Sequence, residues 1–245
     1  MKSCLNKSQI ERFSRQLILK NIGALGQKKI LSSKILIVGI GGLGCPAAEN
    51  LVRAGIGTIG LVDNDIVNIS NIHRQSLFDS NDIKKLKVNV AAKKLKEINP
   101  LTKIKTYKTR LKEKNIKNII KNYEIIIDGS DNFKTKFLIN DYCMKFKKKL
   151  ITGAISKFDG HIFTFNFKEK KTASLKSFYQ EKEISDDILN CEFEGVIGTT
   201  ATIVGTTQAN EALKMIMGIG QNLKNQILII DLLNLNFRKV KFKKR

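Results

Sequence analysis

A glycine-rich turn between a strand and a helix constrains this chain more than any other feature. Residues 34–65 read KILIVGIGGLGCPAAENLVRAGIGTIGLVDND. The apolar run Ile35 to Val38 predicts a strand, which enters a turn built from Gly39, Gly41, Gly42 and Gly44. A helix is expected from about Leu43, then a second strand from Thr58 to Val62 that ends in Asp63. Gly44 and Asp63 stand 19 positions apart. That spacing suits a unit that sets a nucleotide phosphate on a helix N-terminus and an acidic side chain on a ribose. The class of ligand follows from it, but the reaction does not.

The rest of the pattern extends this unit. Helical spacing over Ile10 to Leu31 predicts an N-terminal arm of two short helices, broken near Asn21 to Gly26. Lys84 to Ile98 reads as a helix with Leu86, Val90, Ala91, Leu95 and Ile98 on one face, stopped at Asn99-Pro100. Strands are expected at Lys103–Thr109, Glu124–Ile127 and Leu150–Ala154, and helices at Ile116–Asn122 and Phe133–Phe146. This alternation implies an α/β fold, a Rossmann-like, doubly wound, mostly parallel sheet. Beyond residue 155 the pattern changes. HIFTFNF, at 161–167, alternates as a half-exposed strand would, and 169–190 is charged and reads as a mobile loop. Residues 195–218 predict a buried helix, and Ile227–Asp231 with Asn236–Phe242 a hairpin. The expectation is a single domain: arm 1–33, nucleotide-binding core 34–155, and an antiparallel extension over 156–245.

Composition narrows the setting. No run of eighteen or more apolar residues is present, so no membrane span is expected. The opening MKSCLNKSQIERFSRQ lacks the apolar centre of a signal peptide, which suggests a cytoplasmic chain. Cys4, Cys45, Cys143 and Cys191 show no disulfide or metal-knuckle spacing. The formal charge of +22 raises nucleic-acid binding. Against it, only seven of the 44 basic residues are Arg, and the Lys residues are dispersed with few aromatics between them. Steering of an acidic protein partner is the better use of such a field.

Three features separate nucleotide chemistries. Asp63-Asn64-Asp65 runs straight into the polar stretch that holds Ser70, Asn71, Arg74 and Gln75, where a dehydrogenase would usually continue into a helix. The planar fork of Arg74 suits a triphosphate. Lys87 opens the next helix, where an ammonium can meet phosphate, although Lys is common throughout. Asp128 and Asp131 follow a sheet strand at the edge where ligands of open α/β sheets gather. A carboxylate there holds Mg²⁺, or Asp131 merely caps the helix that follows; both readings stand on the residues alone.

The chain resembles the MoeB/ThiF/HesA family, bacterial relatives of ubiquitin-activating enzymes. The resemblance runs through ERFSRQ (11–16), GIGGLG (39–44), LVDND (61–65), SNIHRQ (70–75), the Lys87 helix, DGSDN (128–132), ITGA (151–154), GVIGTTATIVGTTQANEALKMIMG (195–218) and NFRKVK. It implies an adenylyltransferase that uses ATP and Mg²⁺ to activate the C-terminal Gly-Gly carboxylate of a small ubiquitin-like sulfur carrier, for molybdopterin or thiamine biosynthesis. It further implies that Gly39, Gly41, Gly42 and Gly44 pack against the nucleotide and that Asp63, beside Asp65, bonds the ribose. Ser70, Asn71, Arg74 and Gln75 would line the phosphate path. Lys87 would contact phosphate, and Asp131 with Asn132 would hold Mg²⁺. Arg15 would reach the partner's site in a homodimer, and 156–245 would bind the carrier and complete the dimer.

Two departures bear on that reading. Family members often hold zinc with two C-x-x-C pairs; here Ser174 and Ser177 stand at the first pair and Phe237 to Arg245 has no cysteine, so no zinc site is expected. Cys191 matches a cysteine that some relatives use in a covalent step with the carrier, or it is a small apolar residue. An NAD(P)-dependent oxidoreductase and a non-catalytic scaffold are the readings from other classes.

Overall fold

The structure, a computed structural model, describes residues 5–170, 172–179 and 195–242. Eight strands form one sheet in the order β3-β2-β1-β4-β5-β6-β7-β8. They are β1 (Lys34–Val38), β2 (Thr58–Val62), β3 (Lys103–Tyr107), β4 (Ile125–Asp128), β5 (Lys149–Ser156), β6 (Asp159–Asn166), β7 (Gln226–Asp231) and β8 (Asn236–Lys241). Strands β1 to β5 pair in parallel, and β5 through β8 pair antiparallel. The expected doubly wound core with an antiparallel extension is therefore present.

Alternation along the strands sends side chains to two covered faces. Ile35, Ile37, Ile59, Leu61, Ile125 and Ile127 meet α4 (Gly44–Ala54), α5 (Lys87–Ile98) and the long helix α8 (Gly198–Met217). Leu36, Val38 and Ile126 meet α6 (Glu113–Ile120) and α7 (Phe133–Lys145) on the other face. Each such side chain contributes about 1.5–3 kcal/mol by burial, so the parallel strands are fixed from both sides.

Two expectations change. The N-terminal arm holds three helices, α1 (Lys7–Arg12), α2 (Ser14–Leu17) and α3 (Gly23–Ser32). Phe13, between α1 and α2, is buried with its ring against Gly55, and Arg12 Nη1 donates to the Ile98 carbonyl at 3.0 Å. These contacts interrupt the helix where the chain must bend onto the body. Strand β6 is not half-exposed. Ile162, Phe163, Thr164 and Phe165 are all buried, because β6 lies inside the sheet. Helix α8 covers one side of it, and an aromatic cluster of Phe163, Phe165, Phe178, Tyr179 and Phe242 covers the other. Of the loop expected over 169–190, residues 171 and 180–190 lie outside the described residues; Leu175 is buried on the aromatic side.

Among the described residues no helix is long and apolar enough to cross a membrane. The sheet's open edges are β3 and β8, and every residue of β8 is exposed.

Candidate functional site

Three chain segments meet because their strands are neighbours. β2, β1 and β4 lie side by side and run parallel, so the residues after Val62, Val38 and Asp128 emerge together at the carboxyl edge. Backbone bonds join them: Gly39 N–H donates to the Val62 carbonyl and Gly129 N–H to the Val38 carbonyl, both at 2.9 Å. Gly39 has φ +84, and a Cβ there would press on Gly129. A Cβ on Gly44 would fall on the Gly39 carbonyl oxygen. Only glycine permits this closure. Helix α4 opens from the turn with no side-chain cap; Cys45 N–H is taken by the Gly41 carbonyl at 3.0 Å and Pro46 has none, so Gly44 is the helix residue left to offer an N–H at this edge.

Asp63 locks the turn. Its Oδ2 accepts the Ile40 N–H at 2.7 Å, and its Oδ1 accepts the Asp65 N–H at 2.8 Å. Burial lifts its carboxyl above the usual carboxylate range, against the pull of those two N–H groups and of Lys87. Lys87 is buried at the first position of α5 and reaches Asp65 Oδ2 at 3.3 Å. The lysine that the sequence could not separate from the many others is therefore turned inward at this edge.

The segment after Asp65 is held by its own side chains. Asn71 Oδ1 accepts the Asn68 N–H at 3.2 Å, which makes it a brace for a short turn at Ile69–Asn71. Ser70 is exposed and lends its carbonyl to Arg74 Nη1 at 2.8 Å. Gln75 is buried, close to Gly41, and its Oε1 has no hydrogen-bond partner among the described residues. A buried acceptor without a donor fits a site that a ligand or water completes.

The loop after β4 sets its two carboxylates apart. Asp128 is buried and saturated. Its Oδ2 lies 3.2 Å from Lys136 Nζ and accepts the Thr152 hydroxyl at 2.6 Å, while its Oδ1 takes the Ser130 N–H and hydroxyl. That leaves it no room for a metal. Asp131 is exposed, and the cap of α7 is Asn132, whose Oδ1 accepts the Thr135 N–H at 2.9 Å. The capping role considered for Asp131 is thus filled by its neighbour; Asp131 takes one bond, from Asn132 Nδ2 at 3.1 Å. The sequence reading missed Lys136, Thr152 and Gln208, whose Nε2 donates to the Asp128 carbonyl at 2.9 Å; nothing local marks them.

Arg15 lies on α2, exposed, with no hydrogen bond or ion pair among the described residues. Cys191 lies outside the described residues. Cys45 and Cys143 are buried, and burial pushes the Cys45 thiol up to about 12, so neither is a nucleophile. No cluster of three or more metal-ligating side chains occurs among the described residues. Mg²⁺ in nucleotide sites needs no such cluster, because one or two carboxylates plus phosphates and water suffice.

At this edge the α/β fold carries a glycine cradle, an acidic residue behind it and the inward-turned ammonium of Lys87. The chain belongs to the ThiF family, which it matches over residues 13–245. It is 36% identical over 237 residues to the sulfur carrier protein adenylyltransferase of Thermus thermophilus, covering 96% of this chain and 88% of that protein. It is 38% identical over 239 residues to a probable molybdopterin-synthase adenylyltransferase of Gracilaria tenuistipitata var. liui, covering 98% of this chain but just under two thirds, 66%, of that one. The chain spans about half the length of other relatives, among them the adenylyltransferase and sulfurtransferase MOCS3 of Drosophila virilis, to which it is 39% identical over 241 residues, covering 98% of this chain and 53% of that protein. Its fold is also that of E. coli MccB, whose crystal structure with ATP superposes with a TM-score of 0.82 at 20% identity, covering 96% of this chain and 72% of that one.

Proposed function

We propose that this chain uses ATP and Mg²⁺ to adenylate the C-terminal Gly-Gly carboxylate of a small ubiquitin-like sulfur-carrier protein, in the service of molybdopterin or thiamine biosynthesis. The observation that carries the reading is that the segments after β1, β2 and β4 leave one edge of the sheet, with Asp63 bonded into the glycine turn, the Arg74 stem beside Gly42 and Lys87 paired with Asp65. Relatives named for sulfur-carrier and molybdopterin-synthase adenylylation support it.

The carrier's carboxylate is the nucleophile. Its oxygen bonds to the α-phosphorus, and the α–β phosphoanhydride bond breaks with its electron pair leaving on pyrophosphate. A carboxylate is already ionised at neutral pH, so no general base is required. The chain must instead oppose repulsion between two anions. The N–H groups of the glycine turn and of Gly44 at the start of α4 receive phosphate, and Asp63 orients the ribose hydroxyls. Arg74, Lys87 and an Arg15 supplied by the partner of a homodimer offset charge on the departing pyrophosphate. Asp131, with Asn132 beside it, would hold Mg²⁺, which when bound neutralises phosphate charge. Positioning supplies most of the remaining rate. Ser174 and Ser177 stand where zinc-bearing relatives have cysteines, and metal analysis of the purified protein is expected to find no stoichiometric zinc.

ATP–pyrophosphate exchange, run with each candidate carrier, tests the reading. Exchange should require both Mg²⁺ and an intact Gly-Gly terminus. Exchange with a carrier lacking its last glycine, or hydride transfer from NAD(P)H in its place, would overturn it.

A further inference from the structure

We infer that His73 is a positioning residue for Arg74, an assignment that rests on the adenylation reading above. Arg74 Nη1 lies 2.7 Å from His73 Nε2 and 2.8 Å from the Ser70 carbonyl oxygen. A guanidinium donates and never accepts, so His73 Nε2 is the acceptor and the ring carries its proton on Nδ1. Two acceptors on one terminal nitrogen fix both the place and the plane of a rigid fork. Nε and Nη2 of Arg74 make no hydrogen bond among the described residues, which leaves them for an anion.

The neighbours show why the ring sits there. His73 is exposed, so burial does not hold it, and its one side-chain bond is to Arg74. The aliphatic stem of Arg74 lies beside Gly42, where an added Cβ would stand 3.7 Å from both Cγ and Cδ. Gly198, the first residue of α8, comes so close that a Cβ there would strike the His73 carbonyl oxygen. The two residues thus form a bridge from the glycine turn to α8, along an open groove of about 490 Å³ that Thr199 and Thr202 also line. Among the described residues, Arg74 is the one lining that groove whose charge is permanent. An arginine at the mouth of a solvent-open groove would otherwise spread over many rotamers, and the histidine reduces that freedom before ATP arrives.

The test compares His73→Phe, which keeps a ring without an acceptor, with His73→Gln, whose carbonyl oxygen can accept from Arg74. In carrier-dependent ATP–pyrophosphate exchange, His73→Phe should lower kcat/KM for ATP about tenfold, the scale of one hydrogen bond to a charged group. KM for the carrier should stay within about twofold, and His73→Gln should recover most of the loss. A glutamine variant as slow as the phenylalanine variant, or an unimpaired phenylalanine variant, overturns the assignment. Wild-type protein that shows no exchange with any Gly-Gly carrier would instead sink the adenylation reading. The pair is then decided by imidazole ¹⁵N NMR. The chain has two histidines, so His73→Gln assigns the signals. An unprotonated Nε2 that shifts on Arg74→Met is expected; a protonated Nε2, or no response to Arg74→Met, overturns the pairing.

Discussion

Lys136 Nζ stands 3.2 Å from Asp128 Oδ2, with both side chains withdrawn from solvent. Lys136 also donates to the Gly153 carbonyl at 2.6 Å, so the ammonium ties α7 to both β4 and β5. Lys136→Met should therefore cost about 3–5 kcal/mol in urea unfolding, because it strands a buried carboxylate. Pairing it with Asp128→Asn should recover part of that loss. A double variant whose loss equals the sum of the two single losses would show that the two charges are not coupled.

Asp131 and Asn132 should separate cleanly. Asp131→Ala removes an exposed carboxylate that caps nothing, so stability should change by less than about 0.5 kcal/mol while exchange activity disappears. Asn132→Ala removes the N-cap of α7 and should cost about 1 kcal/mol. Unfolding of Asp131→Ala would assign that residue a structural role in place of Mg²⁺ binding.

Arg15 should act across a homodimer. Phe13 and Arg12 fasten the arm to its own chain, while Arg15 is left exposed and unpaired among the described residues. Arg15→Ala and Asp131→Ala chains should each be nearly inactive alone. A mixed dimer would have one site with an intact Asp131 and an Arg15 from the other chain. Mixing should restore at most about half the activity per heterodimer if the sites are independent. Absent recovery despite demonstrated subunit exchange would place Arg15 in its own chain's site or outside catalysis.

His161 should make stability depend on pH. Burial holds its imidazole below the usual value, outweighing the nearby Asp159 charge. Above about 6.5, the unfolded value, both states are neutral and the residue has no effect. As pH falls through that value the unfolded chain gains a proton that the folded chain resists, so stability drops until the folded group also titrates. His161→Gln should flatten this slope in urea midpoints measured across pH 5–8; an unchanged slope would assign it to other groups.

What the sequence made legible was what is local. The glycine turn and Asp63 belong to one strand–turn–helix–strand unit, and each stands where its spacing put it, while the helix expected from Lys84 begins at Lys87. Asp128 was harder, because its partner Lys136 is one lysine among 37 and its other partner, Thr152, comes from the next strand. Of the two readings left open for Asp131, the cap falls to Asn132, since Asp and Asn cap equally well and only geometry chooses. The alternation in 161–167 was read as one wet face; a period of two is the same whether the second face meets water or an aromatic cluster. His73 gave no signal beyond standing next to Arg74.

The exposed edges of the sheet have a consequence for life at high concentration. An unpaired strand invites another chain to zip onto it, and an eight-stranded sheet offers two such invitations. Here one edge carries Lys103 and Lys105 and the other Arg238, Lys239 and Lys241, all exposed. Copies meeting edge to edge bring like charges together at strand spacing, where no counter-charge is within the strands to relieve them. The lysine-rich composition, whatever its origin, acts at these two places as a guard against open-ended polymerisation.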